Sequence, residues 1–205
     1  MSADDPRQFA FDAVRATLGH STDVDSCVAL TERIDTLTTQ ALEFFQREGV
    51  GSVACGKGCS FCCHLRVMVY PHEAIALFRY LNSRIPEEQA VGIRKRLMES
   101  AKRVAPGMAC AFLVEGECSA YAARPGACAG YHSLSREKCE RGDSDIPMLQ
   151  GLHHVATSLD DGLDQALAAA GLSSLRIELH AALAALIRNP ALIERWRSGR
   201  PLLKD

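Results

Sequence analysis

Nine cysteines are the residues of this sequence best equipped for chemistry, and their spacing is lopsided. Four of them crowd into Cys55-x3-Cys59-x2-Cys62-Cys63, and four more follow a long gap as Cys110-x7-Cys118-x9-Cys128-x10-Cys139. A Cys-x2-Cys pair is a compact spacing for two sulfurs on one metal ion. Gly56 and Gly58 allow tight backbone turns around the first cluster. Cys62 and Cys63 are neighbours, so their side chains leave the chain in different directions. One on each of two adjacent ions is easier than both on one, which favours a polynuclear centre or two close sites. Cys27 stands apart and reads as a buried core thiol.

All-thiolate ligation suits zinc, copper(I) and iron–sulfur clusters alike. Eight thiolates around two divalent ions would keep a formal charge of −4. Lys57, Arg66 and Arg124 lie nearby in sequence and could offset part of it. His64 and His132 flank the clusters and are secondary candidates. His153 and His154 point to different faces of an expected helix that also carries Asp160 and Asp161, so a shared metal is not expected there. His180 reads as a helix-surface residue. Thiol–disulfide exchange through Cys59-x2-Cys62 is a minority reading, since the βαβ order of a thioredoxin-like fold is absent. Neither a nucleophile elbow nor a phosphate-binding Gly-Lys-Ser/Thr loop occurs.

The pattern Cys-x3-Cys-x2-Cys-Cys, followed by Cys-x7-Cys-x2-Tyr-x2-Arg-Pro-x2-Cys, resembles the YkgJ-type cysteine-cluster family, which is described as a zinc- or iron-chelating domain. The residues carrying the likeness are Cys55, Cys59, Cys62, Cys63, Cys110, Cys118, Tyr121, Arg124, Pro125 and Cys128, with Gly130-Tyr131-His132-Ser133 and Cys139 continuing it. It covers about residues 52–140. A related cluster occurs in flagellin lysine methylases, but this chain shows no methyl-donor motif and that activity is not carried over. The resemblance implies a chelating centre for zinc, the first choice, or for iron. The eight clustered cysteines are the expected ligands. The alternative is an iron–sulfur enzyme or electron carrier using the same residues.

The elements that must position these thiols read as mainly α, a small helical domain around an irregular, loop-rich cysteine centre. The expectation is one domain over 1–205, with a metal-binding region at 52–140 between helices at 6–48 and 148–197. Ile34, Leu37, Ala41, Leu42 and Phe45 make an apolar stripe, with Thr31, Glu32, Asp35 and Gln40 opposite. Gly49-Val50-Gly51 stops that helix. A β-like run at 65–70 precedes a helix opened by Pro71, with Ile75, Leu77, Phe78 and Leu81 facing inward. Pro86 opens another, carrying Val91, Ile93, Leu97 and Val104 and ended by Pro106-Gly107. Leu172, Leu175, Leu179, Leu183 and Leu186 repeat at helical steps until Asn189-Pro190, and residues 192–197 form a last short helix.

Composition narrows the function classes. Basic and acidic residues number 23 and 25, so no electrostatic footprint for nucleic acid appears. The longest stretch without Asp, Glu, Lys or Arg runs from Ile146 to Leu159, shorter than the roughly 20 residues of a membrane span. The acidic start Asp4-Asp5 and the lack of an apolar leader point to a cytoplasmic chain, where free thiolates are available.

Overall fold

The computed structural model describes residues 5–56, 58–101 and 107–203; Lys57, Val104 and Pro106 lie outside them. The described chain is mainly helical. Asp5 caps α1 (Pro6–Leu18), its carboxylate accepting from the Arg7 and Gln8 amides. Asp23 caps α2 (Val24–Arg47) in the same way, accepting from Ser26 N at 2.8 Å. The helical pattern expected over 6–48 is carried by these two helices, because Asp23 starts a new one after the Gly19 break. On α2 the polar side is not wholly outward either. Thr31 is buried, satisfied by donating to the Cys27 carbonyl at 2.9 Å.

Strand β1 (Met68–Val69) leads into α3 (Pro71–Ser83), followed by α4 (Glu87–Ser100). Ile75, Leu77, Leu81, Ile93 and Leu97 enter the core, but Val91 is 56% exposed and lies off the apolar face. The central region holds a hairpin of β2 (Leu113–Val114) and β3 (Glu117–Cys118), then α5 (Gly126–Ala129) and α6 (Arg136–Arg141). The hairpin turns through Glu115 and Gly116, with φ of 51° and 81°, which is the geometry a two-residue loop needs.

The C-terminal part contains α7 (Gln150–Ala169), β4 (Ile177–Glu178), α8 (Leu179–Arg188) and α9 (Leu192–Arg197). The leucine run from 172 to 186 is not one helix. Gly171, at φ 71°, ends α7; the chain then extends so that β4 pairs antiparallel with β1, Val69 opposite Ile177, and Leu175 is left 51% exposed. One apolar cluster draws residues from α1 through to Leu202. Within it α1 meets α7 at Gly162, where a Cβ would stand 2.3 Å from the Arg7 carbonyl oxygen. Helix α8 packs on α3 and α4. Among the described residues no helix is long and apolar enough to cross a membrane.

Candidate metal centre

The clustered cysteines are carried by four loop-rich stretches, and backbone hydrogen bonds tie these stretches together in two places. In the first, Cys110 N donates to the Cys63 carbonyl at 2.6 Å. The β2–β3 hairpin pairs Leu113 with Cys118 and so returns Cys118 towards Cys110. Ser119 N and Oγ both donate to the Phe112 carbonyl at 2.9 Å, fixing the far side of that hairpin. Cys128 sits on α5, whose first free amide, Gly126 N, donates to buried Glu73 at 2.7 Å. Pro125 supplies the extended entry to this short helix, as an Arg-Pro pair should. Cys110 and Cys118 pack against the apolar core.

In the second place, Ala54 N donates to the Ser133 carbonyl at 2.8 Å and Ser133 N donates to Cys55 Sγ at 3.3 Å. Cys59 N closes a turn onto the Gly56 carbonyl at 3.0 Å. Cys139 rides on α6, which Ser135 caps and which lies against the 3₁₀ turn Phe61–His64; the Arg136 guanidinium stands 5.7 Å from the Phe61 ring centroid.

The electrostatics link the two places through Cys62, which acts on Cys55 as well as on Cys118 and Cys128. Burial pushes the Cys55 thiol up, the Ser133 amide pulls it down, and Cys59, Cys62 and Cys139 push it up further. Burial also raises Cys110 to about 11 and Cys128 to about 12, with Cys118 adding to both. Cys62 and Cys63 hydrogen-bond each other, which draws Cys63 below the ordinary thiol range and holds the proton on Cys62. Cys63 in turn feels Cys110, Cys118 and Cys128. All nine cysteines are free thiols.

Arg124 stands where the two places meet. It acts on both Cys62 and Cys118, its side chain is 16% exposed, its guanidinium lies 4.3 Å from the Tyr121 ring centroid, and its Nε is 4.0 Å from Asp35. Asp35 Oδ1 is buried without a hydrogen-bond partner, and burial pushes its carboxyl up. Arg66 is exposed. His64 is exposed too, its Nδ1 3.2 Å from the Ser60 carbonyl within its own turn. His132 is buried with Nδ1 unpartnered. His153 and His154 lie exposed on α7. His180 is not on the surface. It is 9% exposed and its Nε2 accepts from Ala111 N at 3.2 Å, next to Cys110. Cys27 is fully buried in the core, where burial raises its thiol to about 12.

Three supporting residues escaped the sequence reading. Glu73 grips α5, Arg96 clamps the Ala111 carbonyl through Nε and Nη2 at 3.0 and 2.8 Å, and Asp35 faces Arg124. Glu73 had a local signal, an acid three residues after Tyr70 at a helix start, and it does accept from Tyr70 N at 2.8 Å. The contacts of Arg96 and Asp35 join distant segments and had none.

The donor set is soft, which fits zinc or iron. Among the described residues no three His, Cys, Asp or Glu side chains are already grouped tightly enough to hold an ion, so loading would have to draw the thiols of each place inward. Comparison with curated proteins and with solved structures finds no match. Three residues separate the first two cysteines here, Cys55 and Cys59, rather than the two of the family's signature. Residues 54–145, which hold all eight clustered cysteines, match the family described as "CxxCxxCC: Putative zinc- or iron-chelating domain", and over that segment the cysteine-cluster resemblance is shown.

Proposed function

We propose that this chain is a cytoplasmic metal-binding protein that chelates zinc, or failing that iron, through Cys55, Cys59, Cys62, Cys63, Cys110, Cys118, Cys128 and Cys139. The observation that carries the reading is that backbone hydrogen bonds tie the cysteine-bearing segments together in two places while the ninth thiol, Cys27, is spent in the core. The segments 54–56, 58–63 and 136–141 hold no fully buried residue and so need a cross-link, which metal binding coupled to folding would supply. The thiolates would bind the ion and Arg124 would offset part of their charge, lowering the cost of gathering anions in a poorly solvated place. The role is structural, metal-handling or accessory to another protein.

The alternative, an iron–sulfur enzyme or electron carrier, draws on a cavity of about 200 Å³ beside α5, lined by Glu73, Tyr131, His153 and Asp160 among others. Metal analysis of protein purified without air separates the two. Stoichiometric zinc in a colourless protein supports the first, and iron with sulfide in a brown protein supports the second. Cys62→Ser should lower the bound metal in either case. Anaerobic protein that retains no metal, and takes up neither zinc nor iron when offered, overturns both.

A further inference from the structure

We propose that the cavity beside α5 is a binding site for a small organic amine, with the ammonium group held at a buried acidic end and an apolar body reaching to the mouth. This goes beyond the chelation reading and does not depend on it. The cavity encloses about 200 Å³ and takes residues from α2, α3, α5 and α7. Ile34, Leu159 and Leu163 are buried and line its deep end, whereas Ala127, His153 and Thr157 are exposed and line its mouth. Two polar side chains of the lining are themselves buried, Glu73 at 5% and Thr38 at 3% exposed. Asp160 adds a second, half-buried carboxylate.

Both buried side chains have acceptor capacity to spare. Glu73 takes one amide on each oxygen, Gly126 N on Oε1 at 2.7 Å and Tyr70 N on Oε2 at 2.8 Å, and a carboxylate oxygen can accept twice. Thr38 donates its hydroxyl proton to the Ile34 carbonyl at 3.0 Å, so towards a ligand its oxygen acts as an acceptor. A glycine keeps space beside the carboxylate: a Cβ on Gly126 would stand 3.2 Å from Glu73 Oε1.

Charge and size select the ligand. Among the described residues Glu73 has no ion pair, and burial holds its carboxyl above the ordinary range. The nearby cation, Arg176, lies outside the lining and is divided among Asp160 at 3.0 Å, Asp164 at 3.6 Å and the Tyr70 ring at 4.7 Å. Buried acceptors that lack a counter-charge favour a ligand that brings positive charge and N–H donors together. An alkylammonium does so with three donors on one atom. The apolar walls suit an organic body rather than a bare cation. Since a cavity of about 150 Å³ takes benzene, about 200 Å³ admits one aromatic ring with a short aminoalkyl arm. The wall formed by α5 also carries Cys128, so the site adjoins the cysteine region.

The test titrates 2-phenylethylamine into the full, reduced chain by calorimetry at pH 8, with 2-phenylethanol and phenylacetate as neutral and anionic counterparts of similar size. One amine per chain is expected, bound about tenfold more tightly than the alcohol, with phenylacetate not bound. Glu73→Gln and Thr38→Val should each weaken the amine about tenfold and leave the alcohol nearly unchanged. Thr157→Phe, at the exposed mouth, should exclude both. Asp161→Asn, an exposed carboxylate paired with Arg7 outside the cavity, should leave amine affinity as it was. Because the two buried variants could fail to fold, nuclear magnetic resonance of the parent protein is the second measurement: the Gly126 and Tyr70 amides, both donors to Glu73, should shift with the amine and not with phenylacetate. No saturable binding of the amine, equal affinity for amine and alcohol, binding of phenylacetate, or amine affinity retained in Thr157→Phe or lost in Asp161→Asn overturns the proposal. Metal content is read separately on the same preparation, so failure to bind zinc or iron removes the chelation reading without touching these outcomes.

Discussion

Replacing Glu73 by Gln should change how the stability of this protein responds to pH. Glu73 is 5% exposed near the start of α3, and its carboxylate accepts from Tyr70 N and Gly126 N at 2.8 and 2.7 Å. Burial, opposed by those two amides, raises its pKa from 4.5 to about 7. The folded chain therefore keeps a proton that the unfolded chain has already lost, so this carboxyl's contribution is full below about pH 4.5 and is lost as pH rises through 7. At about 1.4 kcal/mol per pH unit, the span from 4.5 to 7 corresponds to a swing on the order of 3 kcal/mol. Glutamine stays neutral throughout and can satisfy only one of the two amides, at a cost of about 1–3 kcal/mol. Wild type should thus exceed Glu73→Gln in stability at pH 5, and the gap should close or reverse by pH 8. Urea unfolding of the zinc-saturated pair at each pH reads this directly, since thiol titration is common to both proteins and cancels in the difference. A stability difference that stays constant from pH 5 to 8 would refute the reasoning, because it would mean that the carboxylate ionises as if it were in water.

Arg124→Gln should weaken zinc retention about tenfold in a chelator titration, with Arg124→Lys recovering part of it, because lysine keeps the charge but not the planar fork over Tyr121. His180→Ala leaves the Ala111 amide without its acceptor and should cost about 1–3 kcal/mol in thermal melting while speeding alkylation of Cys110 in metal-free protein; His180→Gln should restore part of both. Gly162→Ala puts a methyl group 2.3 Å from the Arg7 carbonyl and 2.8 Å from Ala10 Cβ, so α1 must shift at a cost of about 1–3 kcal/mol, visible as a lower melting temperature.

The elements visible in the sequence were those written in local code. Pro71 opening α3, the break at Asn189-Pro190 before α9 and the inward placing of Ile75, Leu77, Leu81, Ile93 and Leu97 follow from spacing and capping, whereas Val91 turned outward. What escaped depends on residues far apart in the chain. The leucines from 172 to 186 keep a helical interval, yet pairing with β1 pulls 177–178 into a strand that no local pattern announces. His180 looked superficial because its acceptor role is set by a loop around Ala111. The cysteine clusters were legible as a group, since four thiols within nine residues have few other uses. How the later four fold back onto them was not, because a hairpin, a capped six-residue helix and the Glu73 grip on α5 each leave only a faint trace in sequence.

The pairing of β1 with β4 also sets an order of events during synthesis. The chain is made from its N-terminus at roughly 5–20 residues per second. All eight clustered cysteines therefore emerge before Ile177, Glu178 and His180, the residues that brace β1 and the Ala111 loop. Helices α7 and α8, against which α1, α3 and α4 pack, likewise follow the last clustered cysteine, Cys139, in the chain. For some seconds a nascent chain carries its thiols on a half that has neither its partner strand nor its closing helices. The last quarter of the polypeptide works as a latch, and the earlier part gains its full bracing only once that latch has been translated.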